Sequence, residues 1–453
     1  MQNRATYFTL WEKFALAFPL GFGILTILMF ILDRAKIPVT LISIVSSIII
    51  IEILTGLYLL KKKTFCVDFS EVKKRLNIRG LKLEVFEYIL LALISLKLIY
   101  AFFITLVKPL VDVDAFQYYS IIGKGLFYYK TFLTPYLLGF MYDKPVLPFL
   151  AQGWAFISLQ TIDDALFKIT NPVLFASLLV VFFSTLKRYH LRKFALLFTF
   201  LLSTFPFLVF HVGTAYADVT VTTLYTIGSI YLFLFMKEFS AKNKEKAFAF
   251  LIAASPFLAL TIWAKTAGMI LVGINIFVLF LYIALNFKSF EKTDWPSFFS
   301  PALIFFLTIL PWLTYGKLAI FGMFSSVLGL NSANTPEAAV ETAKQMPSFS
   351  SRLGTVISIT SRKIFLYADW HLLGLLFLTS LTLFFKRAFS KPNIFLLGII
   401  TLVSGAIILQ FTANETFRWL LDGTLFDRLF MVITPLTLFF CAEAILPEVE
   451  KTS

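Results

Sequence analysis

Charged residues are scarce in this chain. They make up 15% of its 453 residues, where an ordinary soluble domain has about 25%, and apolar types make up 59%. The apolar residues fall in runs of roughly 18–25, the length that an α-helix needs to cross a hydrocarbon core of about 30 Å. The shortage of charge therefore argues against a soluble globular protein and indicates an all-α, multi-pass integral membrane protein.

Cysteine is rarer still. With only two cysteines, Cys66 in a basic stretch and Cys441 in the last apolar run, the chain has no disulfide framework. Gly-rich nucleotide loops, CxxC and HExxH patterns and clear internal repeats are also missing. The net charge of +14 does not indicate a nucleic-acid partner, because the basic residues flank apolar runs as the positive-inside rule predicts.

The apolar runs predict a polytopic bundle of about twelve transmembrane helices. The first run is followed directly by another without a small-residue cleavage pattern, which indicates a retained helix and not a signal peptide. We expect a unit 1–83 of two helices and a basic linker, a membrane module 84–446 and a tail 447–453. The predicted helices cover 14–32, 37–60, 84–109, 172–189, 194–212, 217–236, 247–264, 267–287, 297–315, 364–385, 393–412 and 428–446.

Basic residues predict the orientation in the cell membrane. The linker 61–82 is the longest basic stretch, and placing it in the cytoplasm puts both termini inside. The later basic loops then also face inward, provided that 145–171 does not cross; its apolar run of about 16 residues is short for a span and suits an interfacial helix. The outer face then carries a first large loop, 110–171, and a second, 316–362, which is either a lid or acceptor-binding element or simply mobile.

Isolated ionisable residues gather on this predicted outer face. Such groups at a membrane boundary are costly and are usually paired or functional. A carboxylate can accept a proton from an attacking hydroxyl, and Lys and Arg can neutralise a phosphate leaving group. The pattern favours transfer of a sugar carried on a lipid phosphate. The residues that form it are Asp112, Asp114, Asp218, Lys265 and Arg428.

Five motifs follow one another in the order of a known family. They are DVDAFQYYSIIGKGLFYYK, YDKPVLPFLAQGWAF, AYADVTVTTLY, LTIWAKTAG and FDRLFMVITPLTLFF. In order, spacing and sidedness they resemble the GT-C fold glycosyltransferases, which use polyprenyl-phosphate sugars and include protein O-mannosyltransferases and the lipid A aminoarabinose transferase. The resemblance covers roughly 84–446. The chain departs from the family in its two preceding helices and in a Lys-Pro pattern that lacks a second Pro.

The resemblance implies an enzyme of the cell envelope. A single sugar would pass, with inversion, from a polyprenyl-phosphate donor in the membrane lipid to a hydroxyl of an extracytoplasmic glycan, glycolipid or protein acceptor. The fold implied is a GT-C-like helical bundle with interfacial helices in the first outer loop, and the active site would lie on the outer face of the membrane.

The resemblance also implies roles for individual residues. Asp114 would be the general base or acceptor-orienting carboxylate, with Asp112 as the runner-up, and Asp218 would be the second carboxylate of the site. Lys265 either binds the lipid phosphate or pairs structurally with an acid. The other implied phosphate ligands are Lys144 and Arg428.

Three alternatives stay open. Asp112-Val113-Asp114 has the spacing of the Asp-x-Asp metal site of nucleotide-sugar transferases, so a divalent cation is an option, although no metal ligand or other cofactor is assigned. A multi-pass transporter or flippase of a lipid-linked or anionic substrate would place charges, broken helices and repeated halves near the bilayer midplane. A lipid-linked glycan polymerase or ligase would concentrate its outer loop later in the chain.

Overall fold

The computed structural model is helical throughout the part of the chain that it describes. Nine helices in that part are long and apolar enough to cross a membrane, or ten if one bent pair forms a single span. The prediction of a multi-pass helical membrane protein is confirmed, and the count of twelve spans stays a prediction. The described residues are 7–61, 82–111, 113–134, 145–315, 347–367, 370–413 and 416–449.

Three long helices open the chain. Helix α1 (Leu10–Arg34) starts from a capping box in which the Thr9 side chain and the Glu12 carboxylate satisfy each other's backbone N–H groups. Helix α2 (Leu41–Lys61) has almost no buried face, and α3 (Val85–Val107) is buried along one narrow stripe. Most of the basic linker that was predicted to join α2 and α3 lies outside the described residues.

The first large loop folds into short helices. A π-helix, Ala115–Ser120, runs directly into α4 (Ile121–Tyr129), and α5 (Leu147–Leu159) packs on α4. The contact is close because a Cβ at Gly153 would lie 2.4 Å from a Leu126 methyl carbon. At 1.5 Å per residue α5 is about 20 Å long, too short to cross the hydrocarbon core.

Helix α9 (Asp218–Ser240) forms the centre of the remaining bundle. Its apolar stretch is completely buried, and three helices pack around it: α6 (Thr170–Leu186), α10 (Lys244–Ala264) and α11 (Gly268–Leu285). The helices that follow α5 are α6 (Thr170–Leu186), α7 (Arg192–Thr204), α8 (Pro206–Val212), α9 (Asp218–Ser240), α10 (Lys244–Ala264), α11 (Gly268–Leu285), α12 (Phe299–Tyr315), α13 (Phe349–Leu366), α14 (Leu373–Leu383), α15 (Phe385–Ala388), α16 (Asn393–Ala413), α17 (Thr416–Leu421), α18 (Phe426–Phe430) and α19 (Thr434–Ile445).

Three segments that were predicted as single helices are interrupted in the structure. The predicted helix 194–212 bends by 65° between α7 and α8, where Pro206 cannot continue the hydrogen-bond ladder. The predicted helix 364–385 overlaps the end of α13 and all of α14. Between these two helices, His371 and Leu372 adopt the left-handed conformation, with φ of 45° and 59°. The predicted helix 428–446 is divided between α18 and α19.

Helix α9 also defines two ends of the bundle. Its 23 residues are about 35 Å long, with Asp218 at one end and Lys237 near the other. At the Lys237 end, Lys237 binds Glu443 at 2.6 Å. The two ends of the described chain lie there too, since the Tyr7 hydroxyl donates to Glu245 in α10, and the amide of the C-terminal tail residue Val449 donates to the Tyr189 carbonyl.

The first large loop begins and ends at the Asp218 end of the bundle. The Gln152 amide of α5 donates to the Ala215 carbonyl just before α9, at 3.2 Å. The Lys168 ammonium donates to the carbonyl of Lys108, the residue that caps α3. The described part of this loop therefore lies across one end of the bundle and does not pass to the other.

One glycine tests the packing that positions the α10–α11 turn. A Cβ at Gly268 would lie 2.2 Å from the Thr261 carbonyl oxygen of α10, so Gly268→Ala should push the helices apart and destabilise the protein by about 1–3 kcal/mol. Gly273→Ala in the same helix has open space around it and should be neutral or stabilise by up to about 1 kcal/mol. Thermal unfolding in detergent measures the stability of both variants. Equal unfolding midpoints for Gly268→Ala and Gly273→Ala would contradict the close approach of α10 and α11 at Gly268.

Candidate active site

The structure brings together four of the six residues that were predicted to form the site. Each comes from a different element. Asp114 directly precedes the π-helix, Asp218 is the first residue of α9, Lys265 lies in the break between α10 and α11, and Arg428 lies in the short helix α18. The other two predicted residues, Asp112 and Lys144, lie outside the described residues.

These four side chains form a row of alternating charge, which we call the ionic row. The Lys265 ammonium donates to Asp218 Oδ1 at 2.6 Å. The Arg428 guanidinium donates to Asp218 Oδ2 through Nη2 and Nε, at 3.0 and 3.2 Å. Its Nη1 donates to Asp114 Oδ2 at 2.7 Å. Two acids and two bases thus balance one another in the order Lys265, Asp218, Arg428, Asp114.

The members of the ionic row differ in exposure. The Asp218 side chain is completely buried, Arg428 is 16% exposed and Lys265 is 21% exposed. Asp114 is 38% exposed and is the more accessible carboxylate. A buried carboxylate needs paired cations, whereas an accessible one can meet a substrate. Asp218 therefore suits the role of an anchor for the two cations, and Asp114 suits contact with a bound molecule.

A turn that is held by side-chain hydrogen bonds positions Asp218 in the site. The turn between α8 and α9 is held by two side-chain amides: Asn171 donates to the Thr214 carbonyl at 2.6 Å, and Gln152 donates to the Ala215 carbonyl. Helix α9 then starts at Asp218, where the positive end of the helix dipole favours a carboxylate. The first large loop and α6 thus help to fix this acid.

Lys265 lies where two helices meet. Its backbone is extended, with φ −158° and ψ 144°, and its carbonyl accepts the amide of Gly268 as α11 begins. This break in the apolar run turns the ammonium toward Asp218. The Lys265 side chain also lines a small pocket between α9, α11, α16 and α18. The other side chains of this pocket include Ile270, Leu271, Val403, Ile407 and Gln410.

Two tyrosines that the sequence did not single out complete the site. The Arg428 guanidinium lies 4.4 Å above the Tyr216 ring, in a cation–π contact. Tyr119, from the π-helix, packs its ring against Tyr216 and Phe149. Burial raises the pKa of the Tyr119 hydroxyl, and the Asp218 and Asp114 carboxylates raise it further against the opposing charge of Arg428. Tyr119 therefore stays protonated at neutral pH.

A second ion pair lies beside the ionic row. Asp427, the neighbour of Arg428, accepts a hydrogen bond from the Lys363 ammonium of α13 at 2.5 Å. A lysine at the end of an apolar helix is by default a headgroup anchor, and nothing in the sequence marks Asp427 beyond its position next to Arg428. The pairing joins residues 64 positions apart and became visible only in the folded chain.

The described residues hold no group of three or more His, Cys, Asp or Glu side chains that could bind a metal ion. Within those residues, Asp114 turns one carboxylate oxygen toward Arg428. The Asp-x-Asp hypothesis also needs Asp112, which lies outside the described part, so a divalent cation stays a prediction.

The chain was compared with protein-family models, curated proteins and solved structures, and none of them matches it. The likeness to GT-C glycosyltransferases accordingly stays a resemblance carried by the five motifs. Support for a chemical function comes from the side chains themselves, above all from the ionic row.

The two carboxylates of the ionic row should differ in their effect on stability. Asp218→Asn leaves two mostly buried cations without their shared partner and should cost about 3–5 kcal/mol. Asp114→Asn removes a partly exposed pair and should cost about 1 kcal/mol or less. Thermal unfolding of both purified variants measures the difference. Adding Lys265→Met to Asp218→Asn should recover part of the loss, and equal losses for the two single variants would refute the anchor role.

Proposed function

We propose that this chain is an integral-membrane glycosyltransferase. It moves a single sugar from a polyprenyl-phosphate donor to a hydroxyl of an extracytoplasmic glycan, glycolipid or protein acceptor. The observation that carries the proposal is the ionic row at one end of a membrane helix bundle. This row has a cation beside an apolar pocket at one end, Lys265, and an accessible carboxylate at the other, Asp114.

The Lys265 end suits the phosphate of a lipid carrier. An ammonium has three N–H donors and a guanidinium five. Among the described residues, Lys265 directs one donor to Asp218, and Arg428 directs three to carboxylates, which leaves donors for phosphate oxygens. The adjoining pocket is small and mostly apolar, which suits contact with the start of the isoprenoid chain of the carrier.

The Asp114 end suits the acceptor. The acceptor hydroxyl attacks the anomeric carbon of the donor, and its proton passes to the Asp114 carboxylate. The bond between the anomeric carbon and the phosphate oxygen breaks, and its electron pair leaves with the polyprenyl phosphate. Attack opposite the leaving group inverts the anomeric centre. Arg428 and Lys265 stabilise the charge that develops on the phosphate.

The bond between Arg428 and Asp114 couples the two events. At 2.7 Å the guanidinium and the carboxylate share a charge-assisted hydrogen bond. When Asp114 takes the proton of the acceptor it becomes neutral and attracts Arg428 less strongly. The positive charge of Arg428 is then more available to the phosphate at the moment when the phosphate gains negative charge.

The distribution of basic residues supports an outward-facing site. Lys237, Lys244 and Lys246 lie at the end of the bundle opposite the ionic row, together with Arg188. In the positive-inside rule such an end faces the cytoplasm. The proposal therefore includes twelve spans with GT-C-like topology in the cell membrane, cytoplasmic termini, and a site that opens on the outer face.

One observation favours the rival function, a transporter or flippase of a lipid-linked or anionic substrate. The bent pair α7–α8, with its 65° break at Pro206, is a feature that transporters use at substrate sites. The break lies just before the turn that carries Asp218, so it is also compatible with a fixed active site. A transporter would move its substrate without breaking a glycosidic bond, and this difference separates the two functions experimentally.

Transfer by the purified protein tests the proposal. Mass spectrometry of lipid-linked sugars in cells with and without the gene identifies the donor, because that donor should accumulate when the gene is deleted.

On that donor, Asp114→Asn should lower turnover by about 10²–10⁴-fold through loss of the general base. Asp164→Asn is the matched control, since Asp164 is an exposed acid of the same loop that pairs with Lys124 at 2.9 Å.

One result would count against the enzyme, and another would change only the residue assigned as the base. Unchanged levels of every polyprenyl-phosphate sugar after deletion, together with a transported lipid or anion that keeps its bonds intact, would favour the transporter. Full turnover by Asp114→Asn would remove the assigned base while leaving the glycosyltransferase proposal in place, and Asp112→Asn would then be the next variant to measure.

A further inference from the structure

Helix α18 is held by ion pairs on two sides. It has only five residues, Phe426–Phe430, and cannot fix its own orientation through a long packed face. Arg428 links it to the two carboxylates of the ionic row, and Asp427 links it to Lys363 of α13. Successive residues of an α-helix project about 100° apart, so these two pairs restrain the rotation of α18 about its axis from different directions.

The Lys363–Asp427 pair is mostly buried, which makes each partner dependent on the other. Asp427 Oδ2 accepts a hydrogen bond from the Lys363 ammonium at 2.5 Å. Its second oxygen, Oδ1, is buried and has no hydrogen-bond partner within the described residues. A buried ion pair is strongly destabilised when one partner is removed, because the remaining charge is uncompensated. Loss of Lys363 would therefore leave Asp427 with a strong tendency to move toward water.

Aromatic stacking carries the same restraint into the neighbouring helices. The Lys363 ammonium lies 5.2 Å above the Phe426 ring. Phe426 stacks on Phe430 of the same helix at 4.5 Å and on Phe411 of α16 at 6.1 Å. A displacement of Lys363 would thus disturb both the carboxylate that precedes Arg428 and the ring stack beneath it.

We propose that Lys363 and Asp427 are positioning residues for Arg428. They hold α18 at the rotation that lets the guanidinium reach Asp114 and Asp218 together, and they couple α13 to the site. Their effect on catalysis rests on the function proposed above. Their effect on the position of Arg428 does not, and it can be measured without any substrate.

Carboxyl labelling measures the position of Arg428. A water-soluble carbodiimide with glycine ethyl ester, read by mass spectrometry, labels accessible carboxylates of the full-length protein in detergent. In the wild type Asp114 is shielded in part by Arg428, so Lys363→Met should raise its labelling several-fold. Lys363→Arg should restore the wild-type level, and labelling of Asp164 should stay constant as the internal standard.

A variant at the opposite end of the bundle controls for general loosening. Lys237 is mostly buried and pairs with Glu443 at 2.6 Å and with Glu448 at 2.7 Å, so Lys237→Met removes comparable ion pairs far from the site. It should lower thermal stability and leave Asp114 labelling unchanged. If Lys363→Met does not fold, Asp427→Asn preserves the shape of the side chain and should produce the same rise in labelling.

Activity gives an independent reading of the same variants. Misplacement of a catalytic group by about 1 Å can lower the rate by about 10²-fold. We therefore expect kcat to fall by up to that factor in Lys363→Met and to be restored in Lys363→Arg. Unchanged Asp114 labelling in folded Lys363→Met and Asp427→Asn would overturn the positioning role, as would an equal rise in Lys237→Met. A rise in labelling at Asp114 alone, in a protein that transfers no sugar from any donor, would retain the positioning role and reject the proposed function.

Discussion

The site depends on one interaction, the bridging of Lys265 and Arg428 by the buried carboxylate of Asp218. A lone carboxylate removed from water is destabilised by several kcal/mol, and two converging cations together with the start of a helix offset that penalty. The cations come from the α10–α11 break and from α18, far apart in the chain. Satisfying Asp218 therefore requires both segments to reach the amino end of α9, and the geometry of the site follows from that requirement.

Of the two carboxylates in the ionic row, one is buried and structural and the other is accessible. Asp218 is buried under two cations, whereas Asp114 shares only Arg428 and remains partly open. Arg428 is held further by its contact with Tyr216 and by the anchoring of α18 through Asp427. Two identical carboxylates thus have different environments, and only one of them is placed to meet a bound molecule. The division is set by burial and not by residue type.

Sequence reasoning found the ionic row because its members stand out. Asp218, Lys265 and Arg428 are isolated charges at the ends of apolar runs, and such charges are rare in a membrane protein unless they are paired or functional. Tyr119 and Asp427 carried no such signal. Tyr119 is one of many aromatic residues in its segment, and its π-helix has a wider turn than the 3.6-residue period used to recognise helices. Asp427 gained meaning only through its distant partner on α13.

Composition alone determined that this protein is a helical bundle in a membrane. A chain this apolar must satisfy its backbone hydrogen bonds within each segment, and in lipid a helix does so. Only the tertiary structure decided which acid meets which base. The partners in the ionic row are 47, 210 and 314 residues apart, whereas periodicity along a helix relates only residues within a few turns. Their pairing follows from the burial of Asp218, which exists only once α9 is surrounded by its neighbours.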